Sequence, residues 1–193
     1  MASRLRDCDI RLALDTYLRQ AHGAEQDTLI RHELGLCAGT RRVDLAVLNG
    51  EIAGYEIKSD EDTLKRLAGQ ADVYGRVLDR AVIVTTQRHV ESAKAELPQW
   101  WGVTVATHEH GAVNLRTKRK GRRNTAQQTF AVAQLLWRDE ALIELRERGL
   151  GRGLSREPRH YVWLALSEAL ALPELRAVVL ARLKARSEWP GGQ

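Results

Sequence analysis

Arg41-Arg-Val-Asp-Leu-Ala-Val-Leu-Asn-Gly-Glu-Ile-Ala-Gly-Tyr-Glu-Ile-Lys58 is the stretch whose reading decides the fold. Two apolar-rich runs flank Asn49-Gly50, a strong short-range signal for a β-hairpin. Asp44 lies in the first run, and Glu56 and Lys58 lie in the second with Ile57 between them. Alternate side chains of a strand share a face, so Glu56 and Lys58 project together. Two carboxylates beside one ammonium on a rigid hairpin suit a hard divalent cation.

A geometric condition attaches to this. A plain two-residue Asn49-Gly50 turn pairs Leu48 with Glu51, and hence Asp44 with Tyr55, which turns Glu56 away from Asp44. The two acids share a face only if the loop holds an odd number of residues or one strand carries a bulge. Gly50 suits the left-handed position of a three-residue loop. Gly54, a glycine inside a strand, is a natural bulge site. One of these two irregularities is therefore expected.

At these residues the chain resembles the PD-(D/E)XK nuclease superfamily, the restriction-endonuclease-like fold. Asp44 matches its first acid and Glu56-Ile57-Lys58 its (D/E)XK, with Val43 in place of the usual proline. The likeness points to a group of small bacterial proteins within it. It implies an α/β fold with a restriction-endonuclease-like αβββαβ core and mixed sheet, followed by a C-terminal helical region. It also implies Mg²⁺ (or Mn²⁺) held by Asp44, Glu56 and the Ile57 carbonyl, with Lys58 assisting attack on a phosphodiester bond. Glu33 matches an additional upstream acid, and its alternative is a plain surface glutamate. Gln70 and Tyr74 look like the Gln-x-x-x-Tyr signature of RecB-like members, Gln70 orienting the site and Tyr74 packing beside it. The resemblance thus implies a metal-dependent nuclease acting on DNA before RNA, in phage defence, mobile-element biology or repair. The alternatives are a nucleic-acid-binding module without catalysis, or an interaction protein.

The totals agree with a soluble α/β chain. At 193 residues it accommodates one domain with an appendage. No run approaches the roughly 20 apolar residues that cross a bilayer. The first residues show no apolar leader, so a cytoplasmic protein with no membrane partner is expected. Cys8 and Cys37 are unpatterned and read as free thiols. The net charge of +5 permits a polyanionic partner.

Around the hairpin, the periodicity predicts a helix over 9–21, capped by Asp9 and burying Ile10, Ala13, Leu14, Tyr17 and Leu18. Residues 28–34 read as a strand, with a helix from Ala24 as the alternative. Ser59-Asp60-Glu61-Asp62 resembles a capping box opening a helix to about Leu78, burying Leu64, Leu67, Ala68, Ala71, Tyr74 and Leu78. Its N-terminus would lie beside the site and help bind phosphate. Arg80–Thr85 reads as a buried parallel strand, 88–97 as a short helix, Trp100–Ala106 as a strand, and Gly111–Arg116 as an edge strand. His108 and His110 alternate but have no third ligand nearby, so a zinc site is not expected.

Composition divides the chain into a core over 1–117, a basic linker over 118–124 and a helical extension over 125–193. Arg116, Lys118, Arg119, Lys120, Arg122 and Arg123 form a run without an acid. Such a run is either a solvated linker or a phosphate-contact segment, with Lys118, Arg119, Lys120, Arg122 and Arg123 as nucleic-acid contacts. The extension reads as one long helix through Phe130, Ala133, Trp137, Ala141 and Leu145, then helices over 161–170 and 173–186. These could dock a protein partner or a second copy of the chain.

Overall fold

The hairpin forms as the middle of a meander. A computed structural model describes residues 4–23, 25, 27–187 and 189. In it β1 (Leu29–Leu36), β2 (Arg41–Leu48) and β3 (Ile52–Lys58) follow one another antiparallel, β2 pairing with both of the others. Leu48 pairs with Ile52, so the loop is the three residues Asn49, Gly50 and Glu51, with Gly50 at φ +62°. The odd-numbered loop required above is therefore present. Gly54, by contrast, is no bulge: it pairs regularly with Ala46. Its lack of a side chain serves close packing instead, because a Cβ there would lie 2.5 Å from Leu78 Cδ1 and 3.0 Å from Val43 Cγ2. Gly54→Ala should thus overpack the core and cost about 1–3 kcal/mol in urea melts. A change within experimental error would show that Leu78 relaxes freely.

Beyond β3 the chain crosses through α2 (Leu67–Val77) to β4 (Arg80–Thr86), parallel to β3. After α3 (Val90–Glu96) it enters β5 (Gly102–Glu109), parallel to β4, and then the antiparallel edge strand β6 (Ala112–Arg119). The result is one mixed six-stranded sheet in the order β1-β2-β3-β4-β5-β6. Four further helices follow: α4 (Thr129–Ala133), α5 (Arg138–Glu147), α6 (Arg159–Ala169) and α7 (Leu172–Ala185). This is a mixed α/β fold with αβββαβ at its start. Element order alone does not make it restriction-endonuclease-like.

The sheet separates two cores. On one face α1 (Asp7–His22) lays Ile10, Leu14 and Leu18 on Leu45, Val47, Ile57 and Val84. On the other, α2, α3 and α4–α7 share a single larger core with Val43, Ala46, Leu48 and Ile83. The helical extension is therefore packed on the sheet. Asp79 and Asn124 hold the junction. The Asp79 carboxylate accepts the Ile52 N–H at 2.8 Å and pairs with Arg176 of α7. Asn124 donates to the carbonyls of Gly75 and Leu78 at the end of α2, at 2.6 and 2.8 Å.

Several local expectations are corrected. Helix α1 begins at Asp7, and Asp9 acts one turn in, accepting the Arg6 N–H at 3.1 Å. Tyr17 is exposed, since it falls at the margin of the apolar stripe. Helix α2 starts at Leu67, eight residues after Ser59. Asp62 does close back on Ser59, accepting from its N–H at 2.8 Å and its hydroxyl at 2.6 Å, but the turn stops there. Phosphate binding at a helix start beside the site loses its basis, and Ala68 is exposed. Trp100 and Trp101 precede β5 and do not belong to it. The long C-terminal helix is broken, with Trp137 capping α5 from a half-exposed position. The run expected as a linker starts inside β6, which reaches Arg119. Among the described residues, no helix is long and apolar enough to cross a membrane.

Candidate functional site

The site arises where β2 and β3 part. Regular pairing ends at Leu45–Tyr55; one step further would set Asp44 against Glu56. Val43 belongs to the α2-side core and Leu45 to the α1-side core, although strict alternation would place both on one face. The pleat therefore slips at Asp44. Opposite, Glu33 lies in the left-handed region at φ +54°, within β1. The Asp44 carboxylate fills the resulting gap in the ladder: its Oδ2 accepts the Ile57 N–H at 2.7 Å. Strand β3 meanwhile continues its parallel ladder with β4 through Glu56, Ile57 and Lys58.

Glu56 is a buried hub. It is 3 % exposed, and Lys58 beside it is 5 % exposed. Its Oε1 receives Lys58 Nζ and Gln70 Nε2, each at 2.5 Å, and its Oε2 contacts the Tyr74 hydroxyl at 2.5 Å. That hydroxyl also lies 2.8 Å from the Arg42 carbonyl. A phenol carries one hydrogen and can donate to only one of the two acceptors. Burial first, then the Asp44 charge, push the Glu56 carboxyl above its ordinary range, against the pull of Lys58. Burial and the neighbouring Glu56 likewise push the Tyr74 hydroxyl up. Tyr74 also stacks on Trp101, with centroids 5.4 Å apart and planes 11° from parallel. It is thus both a packing residue and a hydrogen-bond donor to the site.

Arg11, which sequence reading missed, ties in the remaining acids. Its guanidinium reaches Asp44 at 2.8 Å, Asp7 at 3.1 Å and Glu33 at 3.3 Å. Burial works against its charge, and the hydrogen bonds it donates to Asp7 and Asp44 more than restore it. The Asp7–Arg11 spacing on α1 was a visible i,i+4 signal, but only the tertiary fold brings Asp44 to it.

Above this network opens a cleft of about 510 Å³, walled by Arg41, Arg42, Arg66, Asp62 and the turn at Gly39-Thr40, with Asp44, Glu56, Ile57, Lys58 and Gln70 in its lining. The structure therefore brings Asp44, Glu56, Lys58 and Gln70 together, and joins Glu33 to them through Arg11. Ile57 joins the site through its backbone N–H, which donates to Asp44 at 2.7 Å.

The fit to Mg²⁺ is poor. Every carboxylate oxygen of Asp44 and Glu56 already accepts from or contacts Arg11, Ile57, Lys58, Gln70 or Tyr74. Among the described residues no group of three or more His, Cys, Asp or Glu is arranged to hold a metal.

The basic run does not join the cleft. Strand β6 lies three strand spacings from β3, about 14 Å. Arg119 is tied to the carbonyls of Trp101 and Pro98, at 2.8 and 3.3 Å. Arg122 bonds through its backbone to Trp100, and the Arg123 charge bears on Asp79. Lys118 and Lys120 are exposed. The doublet Arg41-Arg42, one residue before Asp44, lines the cleft with Arg66 and was not singled out in the sequence.

Fold and cleft together define a mixed α/β protein with an arginine-walled cleft over a buried, ion-paired network. Its family follows from comparison: the family described as Bacteriophage P4 protein cII matches residues 1–189, and the chain belongs to it. Protein cII of Enterobacteria phage P4 is 28% identical over 186 residues, covering 96% of this chain and 69% of that protein. A solved structure, the SPO1766 protein of unknown function from Silicibacter pomeroyi, is 20% identical over 72% of this chain and 87% of its own, with a TM-score of 0.39. At that level the likeness carries no argument.

The family match overturns the nuclease identification. The resemblance to the PD-(D/E)XK superfamily rested on Asp44, Glu56 and Lys58 with a few residues downstream, whereas the cII match spans nearly the whole chain. The assignments as a Mg²⁺-dependent deoxyribonuclease, and to defence or repair by cleavage, are withdrawn. The geometry supplies a physical reason why the motif misleads. Its carboxylates and lysine are engaged with one another and with Arg11, Gln70 and Tyr74, an arrangement that also serves to hold a splayed strand pair together.

Proposed function

We propose that the chain binds nucleic acid, DNA before RNA, by holding the phosphate backbone along the mouth of the cleft. The observation that carries this is the charge arrangement. Arg41, Arg42 and Arg66 line the mouth without a carboxylate partner among the described residues. The cleft's acids are engaged elsewhere: Asp7 and Asp44 with Arg11, Glu56 with Lys58, and Asp62 with Ser59. Arginine forks match phosphate oxygens bidentately and give affinity without sequence readout.

Fluorescence anisotropy with labelled oligonucleotides tests it. Affinity should fall steeply between about 50 and 200 mM salt as bound counterions are released. Arg42→Ala and Arg66→Ala should each weaken binding uniformly across sequences and reduce the salt slope by about 1. Lys118→Ala on the far edge strand should weaken it less. Absence of binding at low salt, or arginine variants indistinguishable from wild type, would overturn the proposal.

A further inference from the structure

A second cavity, of about 400 Å³, adjoins the cleft, and Gly39 and Arg42 line both. Its walls differ from those of the cleft. Trp137, Trp163 and Trp189 come from the C-terminal region, interleaved with Arg159 and Arg186. Arg186 stacks over Trp137 at 4.5 Å and over Trp189 at 4.8 Å, and Arg159 over Trp163 at 5.3 Å. Trp163 is buried and fixed by its indole N–H to the Leu136 carbonyl at 2.9 Å. Trp137 is 41 % exposed, with Arg186 over its ring. The Trp189 indole N–H is buried and has no acceptor among the described residues. The cavity's acid, Glu33, is drawn to Arg11. Arg42 and Arg159 have no carboxylate partner among the described residues.

Aromatic faces, an unsatisfied donor and unpaired guanidinium groups at the end of an arginine-lined cleft are the features that receive a nucleobase attached to a phosphate chain. We propose that this cavity takes one unstacked base of a single strand, resting on Trp137, while Arg42 holds the adjoining phosphate. The inference rests on the nucleic-acid reading of the cleft and adds strandedness to it. A base paired in a duplex cannot enter such a cavity without leaving its stack.

The test uses the full chain, a labelled oligothymidylate of about 12 nucleotides, within the usual site sizes, and a blunt duplex. Wild type should prefer the single strand. Trp137→Ala should lose roughly ten-fold in single-strand affinity and leave duplex affinity unchanged, and Trp137→Phe should restore most of the loss. Tryptophan emission should be quenched on single-strand binding, with a smaller change in Trp137→Ala. Thermal melts check that Trp137→Ala folds, and Trp137→Phe carries the test if it does not. Equal losses on both substrates, no loss on either, or a Trp137→Phe variant as weak as alanine would overturn the base pocket while the cleft reading stands. No binding of either substrate by wild type would overturn both. An emission change produced by an aromatic peptide and not by the single strand would assign the cavity to a protein side chain and overturn the proposal.

Discussion

Glu56→Ala is expected to destabilise the chain by about 3–5 kcal/mol, the usual cost of leaving a buried charge without its partner. The variant leaves the Lys58 ammonium buried at 5 % exposure with its carboxylate removed. It also takes the acceptor from Gln70 and the partner from Tyr74. Glu56→Gln should cost less than alanine, because an amide of the same shape keeps hydrogen-bonding groups in place although it removes the charge facing Lys58. Its oxygen accepts from Lys58 and Gln70, and its NH₂ donates to Tyr74.

The same pair of variants fixes the sign of a pH effect. The folded Glu56 carboxyl titrates above the ordinary glutamate value of 4.5. Its contribution is complete below that value and is lost as pH rises from there through the raised one, because the unfolded chain releases the proton first. Wild type should therefore lose stability relative to Glu56→Gln over that interval. Urea melts across the acidic and neutral range measure it. Parallel profiles for the two proteins would mean that Lys58 keeps Glu56 ionised throughout.

Asp79→Ala is the second large effect, again about 3–5 kcal/mol. Asp79 is 2 % exposed and joins three parts of the chain. Its carboxylate serves Ile52 at the start of β3 and Arg176 of α7, and its carbonyl accepts the Asn124 N–H at 2.8 Å. Removing the carboxylate leaves a half-buried guanidinium and a strand N–H unsatisfied where the C-terminal helices meet the sheet. Asp79→Asn keeps an acceptor for Ile52 and should fall between wild type and alanine. Replacing Arg176 with leucine in the Asp79→Ala background should recover part of the loss, since an apolar pair avoids the stranded charge. If instead the C-terminal helices melt separately in wild type, the junction is weaker than its contacts imply.

The strands were legible in the sequence because their signals are local. Asn49-Gly50 between apolar runs marks the hairpin, and Gly50 does take the left-handed position of a three-residue loop. The β-branched run at 80–86 forms the buried parallel strand as its composition demands. Loop parity brought Asp44 opposite Glu56, although the pleat slips at Asp44 and its carboxylate turns to Arg11 and the Ile57 N–H. Helix ends were less legible. The Ser59–Asp62 turn has cap chemistry, yet a cap stabilises a helix without compelling one, and α2 waits for the apolar stripe from Leu67 to reach the sheet.

Sequence alone thus determined what depends on near neighbours: the meander, the parallel crossover, the apolar faces, and the convergence of Asp44, Glu56, Lys58 and Gln70. The tertiary structure decided what those residues do there. Arg11 arrives from α1, Tyr74 from α2 and the tryptophan cavity from the C-terminal helices, none encoded by spacing within the hairpin. Whether a carboxylate is open to a ligand or already satisfied depends on which distant donors the fold delivers to it. A motif of three residues records the carboxylate and carries nothing about those donors.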